Sequence, residues 1–218
     1  MRRRGPDHLL KEVERIGTTS APLLDAFRAI DRADFVPESE RAGVYYDRPV
    51  SLPEGQTTSQ PSLIARMIDE ARVEAGSRVL EIGTGYGYQT ALLAYLGAGV
   101  WSIERHELLA HAARANLERA GLTDVEVKAG DGWLGFPEGA PFDAIIVSAT
   151  ASEVPEALIH QAAPGARLVI PLLAPGGEAV IVYIAEEGAW RRARMLTPAR
   201  FVPLVREVEP EQHGRLGA

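Results

Sequence analysis

Between Arg78 and Tyr95 the chain reads R-V-L-E-I-G-T-G-Y-G-Y-Q-T-A-L-L-A-Y, and few folds accommodate such a stretch. An apolar run through Val79, Leu80 and Ile82 leads into glycines at alternate positions, Gly83, Gly85 and Gly87. A helix-favouring segment from Gln89 to Leu96 follows and is closed by Gly97. The pattern predicts a strand, a glycine loop and a helix. Glycine tolerates positive φ and carries no Cβ, so such a loop can turn sharply while its backbone N–H groups approach a ligand. The loop is a candidate cofactor cradle, and a glycine-rich turn without a ligand is the plainer alternative.

The dinucleotide fingerprint is G-x-G-x-x-G with an acid about 20 residues on. This chain has G-x-G-x-G, which suits a phosphate less well. Glu81, just ahead of the glycines, adds a carboxylate that favours a cationic ligand and opposes a phosphate. A ligand such as S-adenosylmethionine can lie across such a loop and present its amino-acid part and sulfonium.

Downstream the alternation is regular. Gly99 to Glu104 reads as a second strand, Arg105 to Ala120 as a helix, Val125 to Ala129 as a third strand and Phe142 to Ser148 as a fourth. Pro155 to Ala163 reads as a helix and Ala166 to Pro171 as a fifth strand. Ala179 to Ala185 and Trp190 to Leu204 then form a hairpin with no helix between them. This order predicts an α/β, Rossmann-like sheet that is mostly parallel, with right-handed crossovers and an antiparallel C-terminal strand. Ligands of such sheets bind beyond the carboxyl ends of the strands, where Gly83 to Gly87, Glu104, Asp131 and Ser148 all fall. Glu104 can accept both ribose hydroxyls of an adenosine, or be an exposed charge at a strand end. Asp131, between Gly130 and Gly132, can take an adenine amino group or simply form a turn.

Upstream, residues 7–16 and 22–30 carry helical periodicity, and Pro61 opens a helix through Val73. Between them lies an irregular connection, Tyr45 to Pro61, rich in proline and hydroxyls. Long ordered loops in compact domains are commonly functional. Thr57, Thr58 and Ser59 stand just before a helix N-terminus. Ser59 can cap that helix, or form with the free N–H groups a pocket for an anion such as a substrate carboxylate. We expect residues 1–75 to make a helical cap and substrate loop packed on an α/β core of residues 76–218.

Composition narrows the chemistry. Cysteine is absent, which removes disulfides, thiolate metal sites and every cysteine nucleophile. His106 and His111 are five apart and share no helix face, so no metal set is expected. The formal charge of −7 argues against broad affinity for nucleic acid or anionic membrane. No apolar leader or run of membrane-spanning length is evident, and a cytoplasmic protein is expected. Arginine greatly outnumbers lysine, and Asn116 is the only asparagine. Heat adaptation or a biased genome would each produce that bias.

At this point the chain strongly resembles the protein-L-isoaspartate (D-aspartate) O-methyltransferase family. The matching segments include D-F-V-P-E (34–38), Y-Y-D-R-P (45–49), G-Q-T-T-S-Q-P (55–61), V-L-E-I-G-T-G-Y-G-Y-Q-T (79–90), G-D-G (130–132) and F-D-A-I-I-V (142–147). V-P-E-A-L (154–158), R-L-V-I-P (167–171) and R-F-V-P-L-V (200–205) continue the series in family order. The segment around Ser59 is diagnostic, since many unrelated methyltransferases share the glycine loop. The resemblance implies that Ser59 is the active-site serine, with Thr57 and Thr58 beside cofactor and substrate. It implies also that Gly83, Thr84 and Gly85 hold the methionine part of S-adenosylmethionine, Glu104 the ribose, and Asp131 with Gly132 the adenine. The expected substrates are isoaspartyl proteins and peptides, the by-product is S-adenosylhomocysteine, and the expected state is a monomer. The charged tail from Arg206 onward leaves C-terminal cofactor contacts unassigned.

Such a reaction needs little acid–base machinery, because an α-carboxylate with a reference pKa near 3.5 is already ionised at neutral pH. A nucleic-acid methyltransferase is the enzymatic alternative. Zero cysteine excludes the cysteine-adduct route to C5 methylation, no N-P-P-Y-type motif is present, and the acidic balance is wrong. A non-catalytic cofactor-binding module is the second alternative.

Overall fold

Alternation along the strands decides how this chain layers. A computed structural model describes residues 5–15, 20–174 and 176–206. Residues 1–4, Ile16 and the charged tail beyond Arg206 lie outside the described residues. The elements are α1 (Pro6–Arg15), α2 (Ala21–Ala29), β1 (Val50–Ser51), β2 (Thr57–Thr58), α3 (Pro61–Ala71), β3 (Arg78–Ile82), α4 (Tyr88–Tyr95) and β4 (Gly99–Glu104). They continue with α5 (Glu107–Arg119), β5 (Val125–Ala129), β6 (Phe142–Val147), α6 (Glu156–His160), β7 (Ala162–Ala174), β8 (Gly177–Glu186) and β9 (Ala189–Pro198).

Seven strands form one sheet in the order β5-β4-β3-β6-β7-β8-β9. The first five in that order pair in parallel, while β8 runs antiparallel to both β7 and β9. Successive side chains of a strand point to opposite faces. Val79, Ala144, Ile146 and Val169 therefore join the apolar layer that includes Leu23, Phe27, Ile64, Met67 and Leu92 of α2, α3 and α4. Their neighbours Leu80, Ile82, Ile145, Val147 and Leu168 join Phe136, Phe142 and Leu158 on the other side. The N-terminal helices thus share a core with the sheet. Among the described residues no helix is long and apolar enough to cross a membrane.

Several boundaries differ from expectation. Helix α3 stops at Ala71, two residues early, because Arg72 adopts a left-handed conformation with φ 52° and ends the ladder. Helix α6 is only five residues long, and β7 begins at Ala162, through Pro164 and Gly165. The last strand ends at Pro198 instead of running on to Leu204. Residues 199–205 bend back across the strand ends: the Thr150 N–H donates to the Val202 carbonyl at 2.8 Å, and the Leu204 N–H to the Thr150 carbonyl at 2.7 Å. The Trp133 indole N–H adds a bond to the Leu204 carbonyl at 3.2 Å. The connection before α3 is also more regular than its composition suggests. Val50 and Ser51 pair with Thr58 and Thr57 in a small antiparallel hairpin.

Candidate active site

At the carboxyl ends of β3, β4 and β6 lies a cavity of about 990 Å³, counting its open mouth. Its floor is the glycine loop. Gly83 and Gly85 have φ of 95° and 58°, where a side chain is strained. The Gly83 N–H donates to the Ile103 carbonyl at 2.8 Å, which anchors the loop to β4. A Cβ at Gly85 would lie 3.2 Å from Leu52 Cδ1, so the hairpin connection roofs the loop closely.

Glu104 closes one side of the cavity. Its Oε2 accepts the Gly85 N–H at 2.8 Å and its Oε1 the His106 N–H at 3.0 Å. Each carboxylate oxygen retains a further acceptor site. The group is 5% exposed, yet it lines the cavity, as required for gripping a pair of hydroxyls. Gly132 lines the far end, where a Cβ would come within 2.4 Å of Ile82 Cγ2. Close approach, not φ, demands glycine there.

Two of the expected contact residues have their carboxylates engaged within the protein. Glu81 alternates with Leu80 and Ile82, so the pleat turns its carboxylate into the layer under α4 and away from the cavity wall. It is fully buried and accepts from Gln89 Nε2 at 3.0 Å, Ser102 Oγ at 2.6 Å and Thr90 Oγ1 at 2.5 Å. Burial pushes its pKa up to about 7. When Glu81 is ionised it takes the Ser102 hydrogen, and the 2.6 Å contact between Thr84 and Ser102 is then donated by Thr84 Oγ1. The Thr84 oxygen is thereby left as an acceptor beside the cavity. Asp131 Oδ1 accepts the Trp133 N–H at 2.8 Å and caps a short turn, and its neighbour Gly132 lines the cavity.

Thr57, Thr58 and Ser59 form the opposite rim. A second cavity, lined among others by Asp47, Arg66, Arg200 and Phe201, adjoins the first. The two share Thr57, Thr58, Ser59, Ser148 and Val202. Ser59 does not cap α3; Asp47 reaches over and accepts the Ser62 N–H at 2.8 Å through Oδ1. Among the described residues, no side-chain hydrogen bond occupies the Ser59 hydroxyl.

Sequence reasoning missed Arg32, which is 1% exposed and holds this rim from behind. Its guanidinium donates to the carbonyls of Val44, Tyr46, Arg48 and Ser59 and to Thr58 Oγ1. Desolvation draws its pKa down to about 10, leaving it cationic at neutral pH. Ser148 lines the cavity, as its place at a strand end led one to expect, whereas Gln89 and the stretch Val202–Val205, also on the wall, were missed. The R-F-V-P-L-V segment was the only signal for Val202–Val205, and Gln89 stood unremarked in the segment 79–90.

A cavity bounded by a glycine loop, a tethered strand-end carboxylate and an open acceptor suits a cationic, adenosine-bearing donor. On this sheet it defines a Rossmann-like S-adenosylmethionine-dependent methyltransferase. Comparison with known proteins narrows the class. The family model described as protein-L-isoaspartate(D-aspartate) O-methyltransferase matches residues 4–209. The chain belongs to that family. It is 48% identical over 193 residues to a protein-L-isoaspartate O-methyltransferase of Methylorubrum populi, an alignment covering 88% of this chain and 90% of the relative. A solved protein-L-isoaspartate O-methyltransferase superposes with a TM-score of 0.84 at 29% identity; the match covers 91% of this chain and 65% of that longer one. A structure from Plasmodium falciparum, solved with S-adenosyl-L-homocysteine, shares the fold with a TM-score of 0.82 at 24% identity, over 93% of this chain and 99% of that one.

Proposed function

We propose that this chain transfers a methyl group from S-adenosylmethionine to the free α-carboxylate of L-isoaspartyl residues, and of D-aspartyl residues, in damaged proteins. The observation that carries this reading is the junction of the two cavities at Thr57, Thr58, Ser59, Ser148 and Val202, where a donor in one space can meet a carboxylate in the other. When bound, S-adenosylmethionine supplies an electrophilic methyl group on a positively charged sulfur.

In this reading Gly83, Thr84 and Gly85 hold the amino-acid part, and the acceptor oxygen of Thr84 suits an ammonium. Glu104 takes the ribose hydroxyls. Gly132 leaves room for the adenine, with Asp131 behind it, while Glu81 orients the hydroxyls beneath the loop. Ser59 donates a hydrogen bond that orients the substrate carboxylate. No general base is needed, since that group is already ionised at neutral pH. Joining an anion to a cation reduces charge separation, so the closed walls favour the step. The neighbouring backbone amide nitrogen of the substrate then attacks the methyl ester and expels methanol, giving a succinimide whose hydrolysis returns some normal aspartate.

The same reading takes the chain as a cytoplasmic monomer acting on proteins and peptides and not on nucleic acid, a choice supported by the charge of −7. Labelled methyl donor offered with an isoaspartyl peptide, its normal aspartyl twin and RNA tests it. Label in the isoaspartyl peptide alone is expected, and label in RNA or nowhere overturns it.

A further inference from the structure

We propose that Ser148 is a second substrate-binding hydroxyl, donating its hydrogen to the carboxylate that Ser59 holds, with its direction set by the buried Glu81 through Gln89. This rests on the methyl-transfer reading above and assigns a further contact to the same site.

Ser148 follows the last residue of β6, where its N–H donates to the Ile82 carbonyl at 2.8 Å. It stands directly against the glycine loop: a Cβ at Gly83 would lie 3.3 Å from Ser148 Cβ. It is also among the few residues lining both the cofactor cavity and the adjoining groove. Ser148 therefore stands where the two spaces meet.

The hydrogen on its oxygen has a defined direction. Gln89 donates from Nε2 to Glu81 Oε1 at 3.0 Å and from the same nitrogen to Ser148 Oγ at 3.2 Å. Above about pH 7 Glu81 is ionised and can only accept, so it then selects the amide nitrogen of Gln89, and not its oxygen, for this side. Both Gln89 hydrogens are then committed, and Ser148 Oγ must accept one of them. Its own hydrogen remains, and among the described residues no acceptor takes it. A hydroxyl that accepts from behind and donates forward suits an anion in the cavity. A substrate carboxylate has two oxygens, and Ser59 on the opposite rim addresses one of them.

The test compares wild-type enzyme with Ser148→Ala at mildly alkaline pH, using an isoaspartyl peptide and its α-carboxamide analogue, with S-adenosylhomocysteine binding measured alongside. A hydrogen bond to a charged group corresponds to roughly a tenfold or greater change in affinity. Ser148→Ala is expected to lower kcat/KM for the isoaspartyl peptide about tenfold, and to shrink the preference for carboxylate over carboxamide by a similar factor. Binding of S-adenosylhomocysteine should stay within about twofold. Ser148→Cys, with similar volume and a weak donor, should shift the preference the same way and serves if the alanine variant fails to fold. Equal loss for both peptides, equal loss of S-adenosylhomocysteine binding, or unchanged kinetics overturns the assignment of Ser148 while leaving the methyl-transfer reading intact. A wild-type enzyme that leaves the isoaspartyl peptide unmethylated overturns both.

Discussion

Arg32 Nη2 donates to Thr58 Oγ1 at 2.9 Å, so a guanidinium from an N-terminal turn fixes the strand that leads into Ser59. The same planar fork serves four backbone carbonyls between Val44 and Ser59. A lysine ammonium keeps the charge but cannot reproduce that geometry. Arg32→Ala is expected to cost about 3 kcal/mol of folding stability by leaving buried acceptors unpaired. Arg32→Lys should cost less, yet raise KM for isoaspartyl peptide while S-adenosylhomocysteine affinity holds. Urea denaturation and peptide kinetics measure the two effects.

Ser59 lines both cavities and is relieved of capping by Asp47. Ser59→Ala should reduce turnover by about tenfold or more, with S-adenosylhomocysteine affinity nearly unchanged. Equal turnover in the variant would remove Ser59 from the reaction.

Glu104 binds the glycine loop at one oxygen and the start of α5 at the other. Glu104→Ala removes both tethers together with the acceptors for a diol. Calorimetry should show S-adenosylhomocysteine affinity falling about ten- to a hundredfold.

Gly132→Ala forces a methyl group to within 2.4 Å of Ile82 Cγ2 and 3.2 Å of Leu204 Cδ1. It should cost about 1–3 kcal/mol through overpacking and displace residues 202–205 from the cavity wall. Gly130→Ala, with nothing within 4 Å of the added Cβ, is the control and should be near neutral.

Glu81 supplies a pH signature. Burial raises its folded-state pKa to about 7 from an ordinary value of 4.5, so between those values the folded chain holds a proton that the unfolded chain has released. Its contribution is fully present below the unfolded pKa and is lost as pH rises through about 7. In Glu81→Gln that component vanishes. The stability difference between variant and wild type, followed by denaturation from pH 4 to 8, should therefore shift in favour of the variant as pH rises; a flat difference would refute the assignment.

Much of the candidate site was legible because its parts are local. Gly83, Gly85 and Glu104 occupy a strand–loop–helix unit and the next strand end, where spacing alone sets their neighbourhood. What Glu81 and Asp131 bond to was not legible: a pleat buries the first carboxylate, and a turn bond to the Trp133 N–H engages the second. Arg32 was not legible, since an arginine in a short polar turn looks like any surface charge until the fold closes over it. The return of residues 199–205 was equally hidden, because it depends on pairing with Thr150, some fifty positions upstream.

The glycine spacing, the alternation of strands and helices and the absent cysteine pointed by themselves to a mostly parallel α/β sheet, a candidate cofactor cradle and a chemistry without thiols. Each follows from short-range backbone freedom or from residue type. Only the tertiary structure decided which hydroxyls face the cavities, which carboxylate lines one and which lies buried beneath it, and which groups they bond to. Those choices depend on which buried donors and acceptors meet when distant segments pack, and a buried polar group left unpaired is too costly for the fold to leave the matter open.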